Sequence, residues 1–195
     1  MSLQKRLFIA VDPDLIITNK ISDLITNLKN GFPAKGFRFV SRQNLHLTLL
    51  FLGETDVCLI PDISKKLDAV CQKFSEFDLT FKGLGAFPNK RKPRVLWLGV
   101  SDPEPVTALA NAVIRSAGST PDSGKSRFSP HLTLARVSDE WRKPSSDVFS
   151  GIFSTHGDVS LGTTRVREVI LYQSVLQPGG PRYTALSRHS LQKLC

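Results

Sequence analysis

Asn44-Leu45-His46-Leu47-Thr48-Leu49 and Ser129-Pro130-His131-Leu132-Thr133-Leu134 are the two stretches on which the reading turns. Both alternate polar and apolar residues, which is the period of a half-buried strand. Side chains in a strand point alternately to its two faces, so His46 and Thr48 share one face and Leu47 and Leu49 the other. His131 and Thr133 are opposed to Leu132 and Leu134 in the same way. The leucines predict a core beneath helices, and the His and Thr pairs then project together from the opposite face. The chain has four histidines, and two of them stand in identical His-Leu-Thr-Leu tetrapeptides. A duplicated structural strand would keep its leucines more easily than its His and Thr.

Moving outward, the surroundings of the two stretches repeat as well. Upstream of the first lies Arg6-Leu7-Phe8-Ile9-Ala10-Val11, an apolar run that reads as a buried strand and is ended by Asp12-Pro13. Ile17, Ile21, Leu24, Ile25 and Leu28 then fall at helical spacing, and Gly31 is a helix stop. Upstream of the second lies Arg94-Val95-Leu96-Trp97-Leu98-Gly99-Val100, ended by Asp102-Pro103, with a helix face at Val106, Leu109, Ala110 and Val113. The opening Arg precedes the His by 40 residues in one half (6 to 46) and by 37 in the other (94 to 131). Downstream of the first motif, Leu50-Phe51-Leu52 stays apolar, which predicts a strand end covered on both faces; Phe51 could stack on a base, but core packing is the use expected of it. A helix with Ile63, Leu67, Val70, Cys71 and Phe74 begins after Pro61, a good first-turn residue. The strand Phe77–Phe81 follows it, and Gly157–Leu161 is its expected counterpart in the second half. Glu168–Leu176, a turn at Gln177–Pro181 and a last strand at Arg182–Leu186 form a hairpin. Strands adjoining strands as well as helices indicate an α+β fold with antiparallel sheets.

The bulk properties bound the function. The 195 residues are 41% hydrophobic, enough for a real core, and no apolar run reaches the roughly 18 residues of a membrane helix. The short polar start Met1–Arg6 does not read as a signal peptide. A formal charge of +9 attracts phosphate-bearing partners, although it also fits a merely basic protein. Cys58, Cys71 and Cys195 are an odd number with no close pair, which argues against a disulfide framework or a cysteine zinc site and for a reducing cytoplasm.

Two imidazoles and two hydroxyls facing one cleft are the set that in-line attack on a phosphodiester requires. One group takes a proton from water and another, on the far side of phosphorus, gives a proton to the departing oxygen. Histidine titrates near pH 6.5, so one can be neutral while the other is charged. Threonine hydroxyls can bond the non-bridging oxygens as charge builds on them. This chemistry calls for no metal and no cofactor.

These residues resemble the 2H phosphoesterases, and more closely the RNA 2′,3′-cyclic phosphodiesterases, also called LigT-like 2′-5′ RNA ligases. The likeness runs through RLFIAVDP, NLHLTLLFLGE, GLGAFPNKRKPRVLWLGV, FSPHLTLARV and LYQSVLQPGGPRYTALSRHSL. It implies one domain over residues 1–195, made of two intertwined, duplicated lobes with pseudo-twofold symmetry. Two antiparallel sheets with outer helices would flank a central cleft. It also implies that His46 is the general acid and His131 the general base, and that Thr48 and Thr133 hold the phosphate. Arg136, placed with His131 and Thr133 if their strand runs on past Leu134, would add a positive contact to the phosphate or the RNA. The expected partner is RNA or a nucleotide with a 2′,3′-cyclic phosphate, met by a monomer. Joining RNA ends through a 2′-5′ bond would use the same groups in reverse, and a non-catalytic RNA- or nucleotide-binding module is the alternative of another class.

Other candidates carry less. His156 and His189 lack the motif context and are expected at the surface. Gly124-Lys125-Ser126 has the end of a phosphate-binding loop, but Ser119 stands where the earlier glycine is needed. Lys125 and Arg127 remain possible phosphate contacts, and Lys90-Arg91-Lys92 is either a solvated loop or a guide for RNA. Phe87 and Tyr183 are open between base stacking and packing.

Overall fold

The computed structural model describes residues 3–31, 36–117, 128–137 and 146–193. Among the described residues, nine strands and four α-helices follow the order β1 (Gln4–Val11), α1 (Leu15–Gly31), β2 (Phe37–Phe39), β3 (Leu47–Asp56), α2 (Ile60–Cys71), β4 (Phe77–Phe87), β5 (Val95–Val100), α3 (Glu104–Ala117), β6 (Leu132–Val137), α4 (Ser146–His156), β7 (Ser160–Val166), β8 (Glu168–Gln177) and β9 (Gly180–Ser190). Asp12-Pro13 ends β1 as expected, and the Asp14 carboxylate accepts from the Ile17 N–H at 2.9 Å to cap α1. The helices run along the apolar faces read from the sequence: Ile17, Ile21, Leu24, Ile25 and Leu28 of α1 and Val106, Leu109, Ala110 and Val113 of α3 are buried.

The strands lie in the order β7-β4-β5-β6-β3-β1-β8-β9, with β2 bonded to β6, and every pairing between named strands is antiparallel. The order reads as two half-sheets, β7-β4-β5-β6 and β3-β1-β8-β9. They are joined through β3 and β6 by a single pair, Leu47 opposite Leu132. The helices exchange sides. α1 leaves β1 but packs on β7 and α4 of the other half, while α3 leaves β5 and packs on β3 and α2. Asp14 bonds across the exchange, its N–H donating to Thr164 of β7 at 2.8 Å.

One expectation is corrected. β4 and the strand after α4 are not counterparts in two lobes but hydrogen-bonded neighbours in one, with Leu79 opposite Thr164. By place, the counterpart of β4 is β8, each lying second from its end of the sheet.

Candidate active site

The site forms where the half-sheets meet. The antiparallel pair Leu47–Leu132 brings the two motifs past each other in opposite directions. Leu47, Leu49, Leu132 and Leu134 are at most 2% exposed, sealed in the core. His46, Thr48, His131 and Thr133 are half-buried on the opposite face. The structure therefore brings together all four motif residues that the sequence singled out.

Both imidazoles are held in the same way. Nδ1 of His46 lies 2.7 Å from the Asn44 carbonyl, and Nδ1 of His131 lies 2.8 Å from the Ser129 carbonyl. A carbonyl oxygen only accepts, so each Nδ1 carries the proton. In each neutral ring Nε2 is then left with its lone pair, able to take a proton or, once charged, to give one. Burial holds both imidazoles below the usual histidine range, against the raising effect of those carbonyls. Nearby positive charge lowers them further: His131 and Arg136 act on His46, and Arg136 acts on His131.

Aromatic walls fix the rings. Phe8 lies 4.8 Å from His46 between centroids, and Tyr183 meets it edge-on at 5.2 Å. Phe8 is itself stacked on Tyr172, whose hydroxyl donates to Asp12 at 2.6 Å. On the other side Phe87 meets His131 edge-on at 4.9 Å, with Trp97 at 6.3 Å. Trp97 lies flat on β4 only because residue 85 is glycine; a Cβ there would come within 2.1 Å of the indole. The question left open for Phe87 and Tyr183 is thus answered in part: each packs against a motif histidine.

A bulge after each motif decides what stands beside it. Ile9 faces Leu50 and Ala10 faces Thr48, so Leu49 is an extra residue in β3. Leu96 faces Ala135 and Trp97 faces Thr133, so Leu134 is the extra residue in β6. A bulge reverses the alternation beyond it. A strand that merely ran on would have sent Arg136 to the leucine side, against the reason given for its expected placement, and the bulge is what returns it to the face of His131 and Thr133. The same device overturns the expectation for Phe51. It is not in the core but 61% exposed, opposite Phe8 on the cleft face. Phe51 and Arg136 thus occupy matching positions, each five residues after its histidine. The signal was present in the paired motifs HLTLLF and HLTLAR.

Asn44 was missed altogether. Its side chain is nearly buried and donates to the Pro181 carbonyl at the base of the β8–β9 turn, at 2.6 Å. Its own carbonyl holds His46, so Asn44 ties the hairpin to that ring.

The remaining candidates divide. His189 is not a surface residue. It lies in β9, which runs past Leu186 to Ser190, and is 3% exposed. Its ring joins Asp68 of α2 at 2.6 Å to Ser187 at 2.8 Å, away from the cleft. His156 is half-exposed at the end of α4. Lys90, Arg91 and Lys92 are exposed in the loop that follows Phe87, where the Asn89 side chain accepts from the N–H groups of Arg91 and Lys92. Lys125, Arg127 and the sequence Gly124-Lys125-Ser126 lie outside the described residues.

The chain is similar to known proteins in sequence and fold. An RNA 2′,3′-cyclic phosphodiesterase of Archaeoglobus fulgidus is 36% identical over 93% of this chain and 97% of its own. The crystal structure of TT0787 of Thermus thermophilus superposes with a TM-score of 0.79 at 29% identity, covering 96% of this chain and 98% of that one. E. coli LigT complexed with 3′-AMP superposes with a TM-score of 0.73 at 31% identity, covering 97% and 99%. The model of the 2′-5′ RNA ligase superfamily matches residues 18–174, and the chain belongs to that superfamily.

Proposed function

We propose that this protein hydrolyses 2′,3′-cyclic phosphate ends of RNA or nucleotides to 2′-phosphates by His/His acid–base catalysis. The observation that carries the reading is the pair of imidazoles, each with Nδ1 fixed to a carbonyl and Nε2 left for proton transfer. The name of the Archaeoglobus relative and the 3′-AMP complex of LigT support the substrate class. In the forward reaction His131 Nε2 takes a proton from the attacking water as its oxygen bonds phosphorus. His46 Nε2–H gives a proton to O3′ as the P–O3′ bond breaks. Thr48, Thr133 and Arg136 hold the non-bridging oxygens, where donors aimed at developing charge act most strongly. The exposed ring of Phe51 offers a face for the terminal base. The reverse reaction, with a ribose hydroxyl in place of water, would join ends through a 2′-5′ bond.

A monomer suffices, since one chain supplies both histidines. A reducing cytoplasm suits Cys58 and Cys71, which are both free. Among the described residues no helix is long and apolar enough to cross a membrane.

The test is incubation with 2′,3′-cyclic AMP in excess chelator, followed by phosphorus NMR against authentic 2′- and 3′-AMP. Conversion to 2′-AMP at the rate seen without chelator is expected. Mainly 3′-AMP would reverse the placement of the substrate. Loss of activity that added divalent metal restores would sink the metal-independent mechanism.

A further inference from the structure

β2 is a three-residue strand bonded to β6, and its register sets Arg38 directly opposite Arg136. Cross-strand partners stand on the same face with Cβ atoms about 4.5–5.5 Å apart, and like charges so placed repel. Both side chains are exposed. The arginines held in ion pairs by described residues are Arg165, Arg167 and Arg188, so no carboxylate among the described residues relieves this pair. The strand has little freedom to turn Arg38 away, because Phe37 beside it is buried in the core against Phe149.

The two arginines stand on different strands. Arg136 of β6 is near enough to the site to lower both imidazoles, and Arg38 lies across from it on β2. Arg38 therefore stands one step outside the reacting centre, side by side with the residue at its edge. Two unneutralised guanidinium groups on one face suit a ligand with successive negative charges, and a single terminal phosphate would occupy only one of them.

We propose that Arg38 binds the phosphate joining the terminal nucleotide to the one before it, so that the site favours the end of an RNA chain over a free cyclic nucleotide. This rests on the activity proposed above. It names Arg38 as a binding residue for the chain, outside the proton-transfer machinery.

The test compares Arg38→Ala with the wild type on 2′,3′-cyclic AMP and on a short oligoribonucleotide with a 2′,3′-cyclic end. A charge-assisted contact is worth enough that kcat/KM for the oligoribonucleotide should fall about tenfold. For the cyclic mononucleotide it should stay within about twofold, the range of a lost distant charge. Binding of a single-stranded oligoribonucleotide with a 2′-phosphate end should lose about 0.7 from its log–log salt slope. The melting temperature should hold or rise, because a like-charge contact is relieved. Equal loss on both substrates would overturn the proposal, placing Arg38 at the reacting phosphate or in the fold. No loss on the oligoribonucleotide would overturn it too. If the wild type hydrolyses neither substrate, the proposed activity fails, while the salt slope still decides whether Arg38 holds a phosphate of the chain.

Discussion

The two sides of the cleft share a backbone plan and differ in chemistry. Each contributes His-Leu-Thr-Leu, a carbonyl behind the imidazole, and a bulge that turns the fifth residue after the histidine into the cleft. On one side that residue is Phe51, beside Phe8, which in turn packs against Tyr172 and Tyr183. On the other it is Arg136, with Arg38 beside it. Aromatic rings back both histidines, so the flanks differ in this fifth residue: an exposed phenyl ring on one, a guanidinium with a second beside it on the other. A symmetric pair of histidines cannot by itself tell attacking water from leaving oxygen. The unlike neighbours could: on the proposed function, a base held at Phe51 and a phosphate held at Arg136 would set one orientation and give the two imidazoles different tasks.

The most damaging way to break the comparison is to remove either histidine. His46→Ala and His131→Ala should each cut turnover by about 10²–10⁴-fold with the melting temperature nearly unchanged. Near wild-type turnover in either variant would take that residue out of the mechanism. Next come the two flanks. Arg136→Ala removes a donor aimed at developing charge and should lower kcat by about 10²–10³-fold. Phe51→Ala should instead act through binding, raising KM by about tenfold for loss of one stacked base. Equal losses of kcat in the two variants would mean that the flanks are not chemically distinct.

The dependence of rate on pH sharpens the same contrast. Catalysis needs one imidazole neutral and one charged, so kcat/KM should trace a bell whose limbs belong to the pair. Burial and positive charge hold both rings below the ordinary value of about 6.5, so the maximum should lie on its acid side. A positive neighbour disfavours the imidazolium; taking it away in Arg136→Ala lets both rings hold protons to higher pH, and the whole bell should move upward. A wild-type profile still climbing through pH 9 would point to hydroxide attack without a histidine base.

The smallest expected effect probes what holds the rings. The Asn44 side chain bonds Pro181, whereas its counterpart Ser129 is exposed. Asn44→Ala should lower stability by about 0.5–1.5 kcal/mol, the net worth of one hydrogen bond whose remaining partner, the carbonyl of exposed Pro181, can turn to water, and should reduce kcat severalfold. Ser129→Ala should change neither, since its carbonyl remains. Thermal melts with single-turnover rates would separate the two, and an Asn44 variant matching wild type in both would remove the hairpin from the positioning of His46.

Much of this site was legible because the decisive signals are local. A two-residue period places Leu47 against His46 and Thr48 whatever the rest of the chain does, and Asp12 and Pro13 end a strand by their own chemistry. The bulges are different. They depend on which residue of β1 or β5 faces which residue of β3 or β6, and the unbroken run Leu49-Leu50-Phe51-Leu52 hides the change of phase. His189 was misplaced for a similar reason: its partner Asp68 lies 121 residues earlier in the chain. The nearness of β4 and β7 was equally hidden, since two strands of matching sequence context gave no sign that they pair with each other.

The exchange of helices between the half-sheets bears on how the protein is made. The apolar stripe of α1 packs on β7 and α4, so the residues between 31 and 146 must leave the ribosome before its cover arrives. At about 5–20 residues per second that interval is on the order of ten seconds. Through it Ile17, Ile21, Leu24 and Leu28 remain a bare, sticky surface on the nascent chain, within reach of any chaperone that waits at the exit tunnel.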